Sequence, residues 1–289
     1  TRASGEQNPR YDSTYVFTND FAALRPDAGE DVFAEGLLRA EAQAGTCRVI
    51  CFSPRHDITL TQMAPAGVRQ VIEMWAEQTA DLGRDWRWVQ IFENRGAAMG
   101  ASNPHPHGQI WSGAALPEYA AREDASQRRY HSTHGRRLLL DAVQQEGGGQ
   151  RVVEDGEEWL ALVPFWAVWP FETLLVPKRP AARIPDLDDA QRAGLADTMQ
   201  RLMRRYDALF DQPMPFSMGW HQAPFGEDPA EPWQVHAHFM PPLLEATKRK
   251  FMVGYELLSE PQRDISAEEA AERLRAAMPA SATQAAATV

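Results

Sequence analysis

The chain has 289 residues, of which 44% are hydrophobic and 24% are charged, with a net charge of −11. This length is enough to bury a large core, and the composition is ordinary for a globular protein. No apolar run approaches the length of a membrane span, and the acidic balance argues against general nucleic-acid binding. Any phosphate site must therefore be local.

The two cysteines and the first residues bear on the compartment. Cys47 and Cys51 lie in an apolar, strand-like stretch, which favours buried thiols in a reducing compartment over a disulfide or a metal pair. The first residues show no signal-peptide pattern. We expect a cytoplasmic protein without a membrane segment, and, because Thr1 is not a methionine, we expect a further segment to precede it.

In chain order, one plan occurs twice: an apolar strand, an amphipathic helix, a second strand and a His-x-His pair. The first copy runs from "CRVICFSPRH" (47–56) through a helix that stops at Gly83 to "HPHGQIW". The second runs from "FETLLVPKRP" (171–180) through a helix with apolar positions up to Leu209 to "WQVHAHFM". Aligning the motifs pairs position 105 with position 236. The duplication predicts an α+β protein with two related halves.

The polar stretch "QQEGGGQ" (144–150) is the expected junction, so we divide the chain into halves at 1–146 and 150–289. A last helix is predicted to begin at the N-cap Ser266, with Glu269 at the capping-box position. The small, polar tail after it is expected to fray.

The stretch "HPHGQ" places three polar side chains on one face. Pro106 excludes a helix and favours extended geometry, in which His105, His107 and Gln109 point the same way. Three interpretations stay open for the pair: hydrogen-bonded structural histidines, metal ligands, or one nucleophile. Gly96 and Gly100, just upstream, would let backbone N–H groups approach an anion, which favours chemistry on phosphate.

The second His-x-His pair indicates a different chemistry. His236 and His238 share a face of an apolar strand, and His221 ends the strand before it. Neutral imidazoles in such a place need partners, which a metal or structural hydrogen bonds would supply. Glu123 or Asp124 could add a carboxylate ligand. His131 and His134 lie in a basic, polar stretch and are expected to be solvated.

Long motifs between residues 14 and 275 resemble the galactose-1-phosphate uridylyltransferase family of the histidine-triad superfamily. They are "TYVFTNDFAAL", "FENRGAAMGASNPHPHGQIW", "SMGWHQAPF", "WQVHAHFMPPLL" and "RKFMVGYELLSEPQRD". The resemblance implies an α+β fold in which two histidine-triad-like halves form a half-barrel of mainly antiparallel strands, with helices packed outside, usually as a homodimer. It also implies ping-pong transfer of UMP from UDP-glucose to galactose 1-phosphate, which yields UDP-galactose and glucose 1-phosphate.

The resemblance also implies residue roles. His107 matches the nucleophile and Gln109 the residue that hydrogen-bonds the transferred phosphoryl group. The positions that match uridine and phosphate contacts are Asn19, Asp20, Asn94, Gly100 and Ser102, with Ala101 in a backbone role where some relatives carry cysteine. The positions that match sugar-nucleotide contacts, some of them across the dimer, are Lys250, Phe251, Tyr255, Glu256 and Gln262.

Two metal sites are implied in the same way. The first is a structural site for iron or zinc, matched by Glu123, His221, His236 and His238. The second is a zinc site, in which His56 and His105 match two ligands; the family's other two are a Cys-x-x-Cys upstream of Thr1, and neither cysteine of this chain lies in that motif.

Two rival functions are considered. One is another histidine-triad nucleotidyltransferase, phosphorylase or hydrolase acting on nucleotide sugars, although the hydrolase branch typically carries histidine where Gln109 stands. The other is a non-catalytic, metal-stabilised nucleotide-binding protein, against which the His107–Gln109 pair counts.

Overall fold

A computed structural model describes residues 5, 7–29, 31–101 and 103–277. The strands are β1 (Tyr15–Thr18), β2 (Val32–Glu35), β3 (Leu38–Glu41), β4 (Gly45–Cys51), β5 (Trp88–Arg95), β6 (His107–Gly113), β7 (Val152–Asp155), β8 (Trp159–Leu162), β9 (Thr173–Pro177), β10 (Phe216–His221) and β11 (His236–Met240). The helices are α1 (Pro65–Leu82), α2 (Glu118–His134), α3 (Leu138–Glu146), α4 (Asp189–Leu209), α5 (Tyr255–Leu258) and α6 (Ala267–Ala276).

Nine strands form one antiparallel sheet in the order β1-β4-β6-β5-β10-β11-β9-β8-β7, and β2 pairs with β3 in a separate hairpin. The two halves join where β5 pairs with β10, with Phe92 opposite Gly219. Outward from this junction the order is β6 then β4 on one side and β11 then β9 on the other. The antiparallel α+β fold is confirmed, and the topology repeats as the duplicated plan predicted; the boundary between 146 and 150 stays a prediction.

One face of the sheet carries the main core under α1, α4 and α6. The predicted helices form because their apolar positions recur at helical spacing: α1 buries Val68, Ile72 and Trp75, and its C-cap is Gly83. Helix α4 begins with a capping box between Asp188 and Gln191. The sequence placed both helices correctly.

The C-terminal segment follows the prediction at its start. The Ser266 side chain accepts a hydrogen bond from the backbone N–H of Glu269 and so caps α6. The tail that was expected to fray lies outside the described residues.

The opposite face of the sheet differs between the halves. In the C-terminal half, α3 covers it by packing Leu139 and Val143 against Leu174 of β9 and its neighbours. In the N-terminal half the same face opens into a cavity that contains Val49 and Gln109. Helices α2 and α3 were not predicted from the sequence.

Both cysteines are free and buried, as expected from their apolar strand. Within the described ranges, every helix is too short or too polar to cross a bilayer.

Candidate active site and metal centre

His107 is the first residue of β6, between β4 and β5. Its Nδ1 lies 2.8 Å from the carbonyl oxygen of His105. A carbonyl only accepts, so Nδ1 carries a proton, and in the neutral ring the lone pair lies on Nε2. The half-buried ring lines a cavity of about 520 Å³. The Nε2 lone pair can act as a nucleophile.

The position after His107 has no room for a side chain, so it must be glycine. A Cβ on Gly108 would lie 3.1 Å from the ring of Phe52 and 3.1 Å from the carbonyl oxygen of Phe92. Such approaches are tighter than ordinary carbon contacts, so a larger residue would push β6 and its first residue, His107, out of position.

Two carboxamides flank His107 on the same face of the sheet. Gln109 pairs with Phe92 of β5, and Asn94 lies two residues further along β5, beside His107. The Gln109 oxygen accepts from Trp111 Nε1 at 3.2 Å, and the Asn94 oxygen accepts from Ser217 Oγ at 2.7 Å. Both amide NH₂ groups are thereby left as donors, which suits an anion.

The glycine-containing loop adopts the conformation that its sequence suggested. Gly96 has φ 84° and Gly100 has φ 80°, values that favour glycine, on either side of a short 3₁₀ turn. A second cavity, of about 470 Å³, is lined by Gly96, Ala101 and Asn94 and also reaches His107. Ser102 lies outside the described residues.

Sequence reasoning missed a carboxyl group in this second cavity. Glu93 is 6% exposed and lines the cavity together with Asn94 and His107. Burial raises its pKa to about 7, and the nearby Arg95 guanidinium lowers it only in part. Nothing in "WVQIFEN" distinguishes it from a solvent-facing acid in an alternating strand.

The far end of the first cavity is made by β1 and the residues that follow it. Asn19 and Asp20 line it as the resemblance implied, and the Asn19 oxygen accepts from the backbone N–H of Phe21 at 3.0 Å. Phe17 and the 84% exposed Phe21 add aromatic walls that the sequence did not indicate. Aromatic walls beside hydrogen-bonding side chains can hold a small molecule.

His56 and His105 come together as the implied zinc pair requires. Their Nδ1 atoms are 2.8 Å apart, and the Tyr11 hydroxyl lies 3.5 Å from His105 Nε2. Burial, and then the neighbouring His56, lowers the pKa of His105, which keeps the ring neutral. The described residues thus supply two nitrogen ligands, half of the set that zinc takes.

Four side chains from three elements form a compact cluster. Ligand atoms of Glu123, His221, His236 and His238 all lie within 4.8 Å of one another. Glu123 oxygens are 2.9 Å from His221 Nδ1, 3.5 Å from His236 Nε2 and 3.6 Å from His238 Nε2. Tetrahedral ligands about 2.0–2.1 Å from a metal stand roughly 3.3 Å apart, so the spacing fits one ion.

Hydrogen bonding and charge also fit a metal. His236 Nδ1 lies 2.9 Å from the Gln234 carbonyl oxygen, so the neutral ring presents its Nε2 lone pair to the cluster, and both ring nitrogens of His238 lack a hydrogen-bond partner among the described residues. Burial lowers the pKa of His238 to about 4, which leaves the ring neutral. Burial would raise the pKa of Glu123, but the three imidazoles around it, His221 first, lower it well below its usual range.

The choice between the two acidic residues is visible in their partners. Asp124 accepts from Trp233 Nε1 at 2.5 Å and from Arg128 at 2.9 Å, away from the three histidines. Glu123 faces them, as the resemblance implied.

Family models match both halves of the chain. The model described as "Galactose-1-phosphate uridyl transferase, N-terminal domain" matches residues 1–117, and the one described as "Galactose-1-phosphate uridyl transferase, C-terminal domain" matches residues 123–287. The chain belongs to this family.

Relatives agree with this assignment. The galactose-1-phosphate uridylyltransferase of Rattus norvegicus is 53% identical over 281 residues, 95% of this chain and 74% of that protein. That of Haemophilus influenzae is 52% identical over 278 residues, 95% of this chain and 80% of that protein. A solved structure of a uridylyltransferase aligns with a TM-score of 0.86 at 26% identity, covering 96% of this chain and 89% of that one. The predicted family is confirmed, and with it the class of enzyme, a nucleotidyltransferase.

The segment that the family resemblance assigned to the sugar nucleotide lies apart from both cavities. Lys250, Phe251, Tyr255, Glu256 and Gln262 line neither of them. Lys250 Nζ is 2.7 Å from Glu256 Oε1, while Phe251 and Tyr255 are 55% and 58% exposed. The structure therefore places His107 in cavities that also contain Asn19, Asp20, Asn94, Ala101 and Gln109. Gly100 and the sugar-nucleotide positions line neither cavity.

Proposed function

We propose that this chain is a UDP-glucose–hexose-1-phosphate uridylyltransferase that works through a uridylyl-His107 intermediate. The observation that carries the proposal is the 2.8 Å bond from His107 Nδ1 to the His105 carbonyl, beside two amide donors. In the neutral ring this leaves the Nε2 lone pair as the nucleophile, in a cavity where Phe17 and Phe21 offer faces for a base to stack on. Family membership implies UDP-sugar and hexose 1-phosphate substrates.

The reaction proceeds in two displacements. In the first, the Nε2 lone pair attacks the α-phosphorus of UDP-glucose, the bond from that phosphorus to the bridging oxygen breaks, and glucose 1-phosphate leaves. The imidazole becomes a cation, which the His105 carbonyl stabilises through the Nδ1 proton. In the second, a phosphate oxygen of galactose 1-phosphate attacks the same phosphorus, the N–P bond breaks, and UDP-galactose leaves with neutral His107 restored.

The neighbouring residues bind and orient in this scheme. Gln109 and Asn94 donate N–H groups to the transferred phosphoryl oxygens, which gain charge in the transition state. Gly100, Ala101 and Ser102 supply the phosphate contacts that the family resemblance implies. Asn19 and Asp20 bind uridine at the other end of the cavity.

Some of the sugar-nucleotide contacts come from a second copy of the chain. Lys250, Phe251, Tyr255, Glu256 and Gln262 do not reach the cavity of their own chain, and their segment exposes apolar residues such as Leu257 and Leu258. A homodimer would cover this apolar surface and supply the missing contacts. The free, buried thiols support a cytoplasmic location, and the acidic balance argues against a nucleic-acid partner.

Both metal sites have structural roles in this proposal. Iron or zinc held by Glu123, His221, His236 and His238 would fix α2 to the sheet, because Glu123 is the only ligand from that helix. Zinc at His56 and His105, with ligands from outside the described residues, would fix His105, whose carbonyl orients His107.

Steady-state kinetics tests the proposal. Initial rates measured at several fixed concentrations of galactose 1-phosphate should give parallel lines in double-reciprocal plots against UDP-glucose, the pattern of a covalent intermediate. Intersecting lines would show a ternary complex and contradict it. Release of UMP without UDP-galactose would identify a hydrolase instead, which the Gln109 amide disfavours because it has no proton to deliver at neutral pH.

A further inference from the structure

A buried lysine contacts three acceptors in the segment between β11 and α6. The Lys250 side chain is 3% exposed, and its Nζ lies 2.7 Å from Glu256 Oε1 and 2.7 Å from Asp264 Oδ2. It also donates to the carbonyl oxygen of Gln262. An ammonium has three N–H donors, so these three acceptors use all of them.

The rest of this segment has little packing of its own. None of the residues from 251 to 264 is buried, and Val253 and Leu258 are 61% and 84% exposed. Helix α5 has four residues, and so short a helix is unstable without tertiary contacts. The Lys250 backbone N–H, in contrast, is bound to the Pro242 carbonyl at 2.7 Å. The lysine is therefore a main link between the segment and the body of the protein, beside the stacking of Arg263 over the Phe165 ring at 5.5 Å.

The charges favour this arrangement. Burial lowers the pKa of Lys250, but hydrogen bonds to Asp264 and Glu256 raise it more, so the ammonium stays charged. The hydrogen bond from Lys250 lowers the pKa of Glu256 below its usual range. Removing one carboxylate would leave a buried cation short of an acceptor, which is strongly unfavourable.

We propose that Asp264 is a positioning residue, which acts through Lys250 to hold Glu256 and Gln262 in the geometry that the hexose 1-phosphate requires. This inference rests on the proposed function. It gives a role to Asp264, the last residue of the motif "RKFMVGYELLSEPQRD", to which the resemblance assigned none. It also gives Lys250 an indirect role, because its three donors are already used within the chain.

Hydrogen–deuterium exchange of peptides covering residues 251–262 tests the link without any need for activity. The variants are Asp264→Ala, which removes the acceptor, and Asp264→Asn, which keeps an oxygen but loses the charge. Glu260→Gln, a neighbouring exposed acid, is the matched control. We expect both Asp264 variants to exchange faster than the unmodified protein, Asp264→Ala more so than Asp264→Asn. The control Glu260→Gln should exchange at the unmodified rate. Unchanged exchange in Asp264→Ala overturns the proposal.

Kinetics then separates positioning from simple stability. Asp264→Ala should raise the KM for galactose 1-phosphate by about tenfold or more. The KM for UDP-glucose should change less, because UDP-glucose also binds through its uridine end. Faster exchange with an unchanged hexose KM overturns the positioning role. If the unmodified protein transfers no UMP, the proposed function fails, whereas the exchange comparison still decides whether Asp264 holds the segment.

Discussion

The two His-x-His motifs occupy the same place in the two halves, yet one lines an open cavity and the other a closed cluster. His107 and His236 are each the first residue of their strand, and each directs Nδ1 to the carbonyl oxygen two residues earlier, at 2.8 and 2.9 Å. The backbone thus sets the same ring tautomer twice. What differs is the set of neighbours.

Strand register shows which neighbours correspond. In β10 and β11, His221 pairs with His236 and Gly219 with His238; in β5 and β6, Phe92 pairs with Gln109, which leaves Asn94 beside His107. The trio Asn94, His107 and Gln109 therefore corresponds to His221, His236 and His238. Where the first half has two amides, the second has two more imidazoles.

The covering element completes the difference. Helix α2 brings Glu123 onto the second trio, at 2.9–3.6 Å from the three rings. With four ligands, a metal there has no open position for substrate. In the proposed function, the same strand geometry serves structure when its donors are imidazoles under a carboxylate, and chemistry when one imidazole stands between amide donors in a cavity.

The largest effect is expected from removing the nucleophile of the open site. His107→Asn should lower transfer by about 10⁴-fold or more, because no other neutral nitrogen occupies that position. Binding of UDP-glucose should persist, since uridine is bound by other residues. Rates and calorimetric binding measured on the same preparation check both statements. Loss of binding equal to the loss of rate would contradict the role.

The equivalent position in the closed site should affect stability instead. His236→Ala or His238→Ala should remove most bound metal and lower the free energy of unfolding by about 3 kcal/mol or more, because Glu123 is left with fewer partners. Metal analysis and thermal melts measure this, with His131→Ala on α2 as the control. Variants that keep metal and full stability but lose activity would show a catalytic site.

Glutamine at the third position of the open trio sharpens the comparison further. Gln109→His places there the residue that occupies the corresponding position, 238, in the second half. It should lower the transfer rate and raise the ratio of UMP release to UDP-galactose formation by about tenfold, because imidazolium can donate a proton that an amide cannot. Gln109→Ala, which adds no acid, should lower transfer without raising this ratio. An unchanged ratio in Gln109→His would mean that the amide only packs.

The smallest effect concerns the glycine inside the open motif. Gly108→Ala should cost about 1–3 kcal/mol of stability and lower transfer a few-fold, because its Cβ meets Phe52 and the Phe92 carbonyl at 3.1 Å. Gly113→Ala in the same strand, whose Cβ meets nothing nearer than 3.5 Å, is the control. Equal melting temperatures for the two variants would exclude this packing constraint.

Local patterns predicted much of this molecule. The apolar spacing of α1 and α4 and the N-cap Ser266 are properties of short stretches, and the structure has each of them. Of the predicted extended stretch "HPHGQ", strand β6 contains the part from His107 onward, and His105 lies in a bend before it. The resemblance to the family added what periodicity could not, namely the distinction between Glu123 and Asp124. That distinction depends on Trp233, which is 109 residues away from Asp124 in the chain.

The register of the strands and the helix that covers the metal-binding cluster could not be predicted from the sequence. Aligning the two His-x-His motifs by sequence paired position 105 with position 236. The strand pairing instead makes His107 the structural equivalent of His236, a shift of two residues that only the hydrogen-bonding register reveals. Helix α2 carries mostly polar side chains and buries only Ala120 and Gln127, so it has no apolar stripe to predict it. The walls of the cavity come from β1 and β4, whose pairing is equally non-local.

Mass spectrometry of the protein incubated with UDP-glucose alone tests the central claim most directly. The account predicts a covalent uridylyl adduct, mapped by fragmentation to His107, which disappears when galactose 1-phosphate is added and UDP-galactose forms. His107→Asn should carry no adduct under the same conditions. An unmodified protein without adduct that nevertheless forms UDP-galactose, or an adduct on a different residue, would contradict the account.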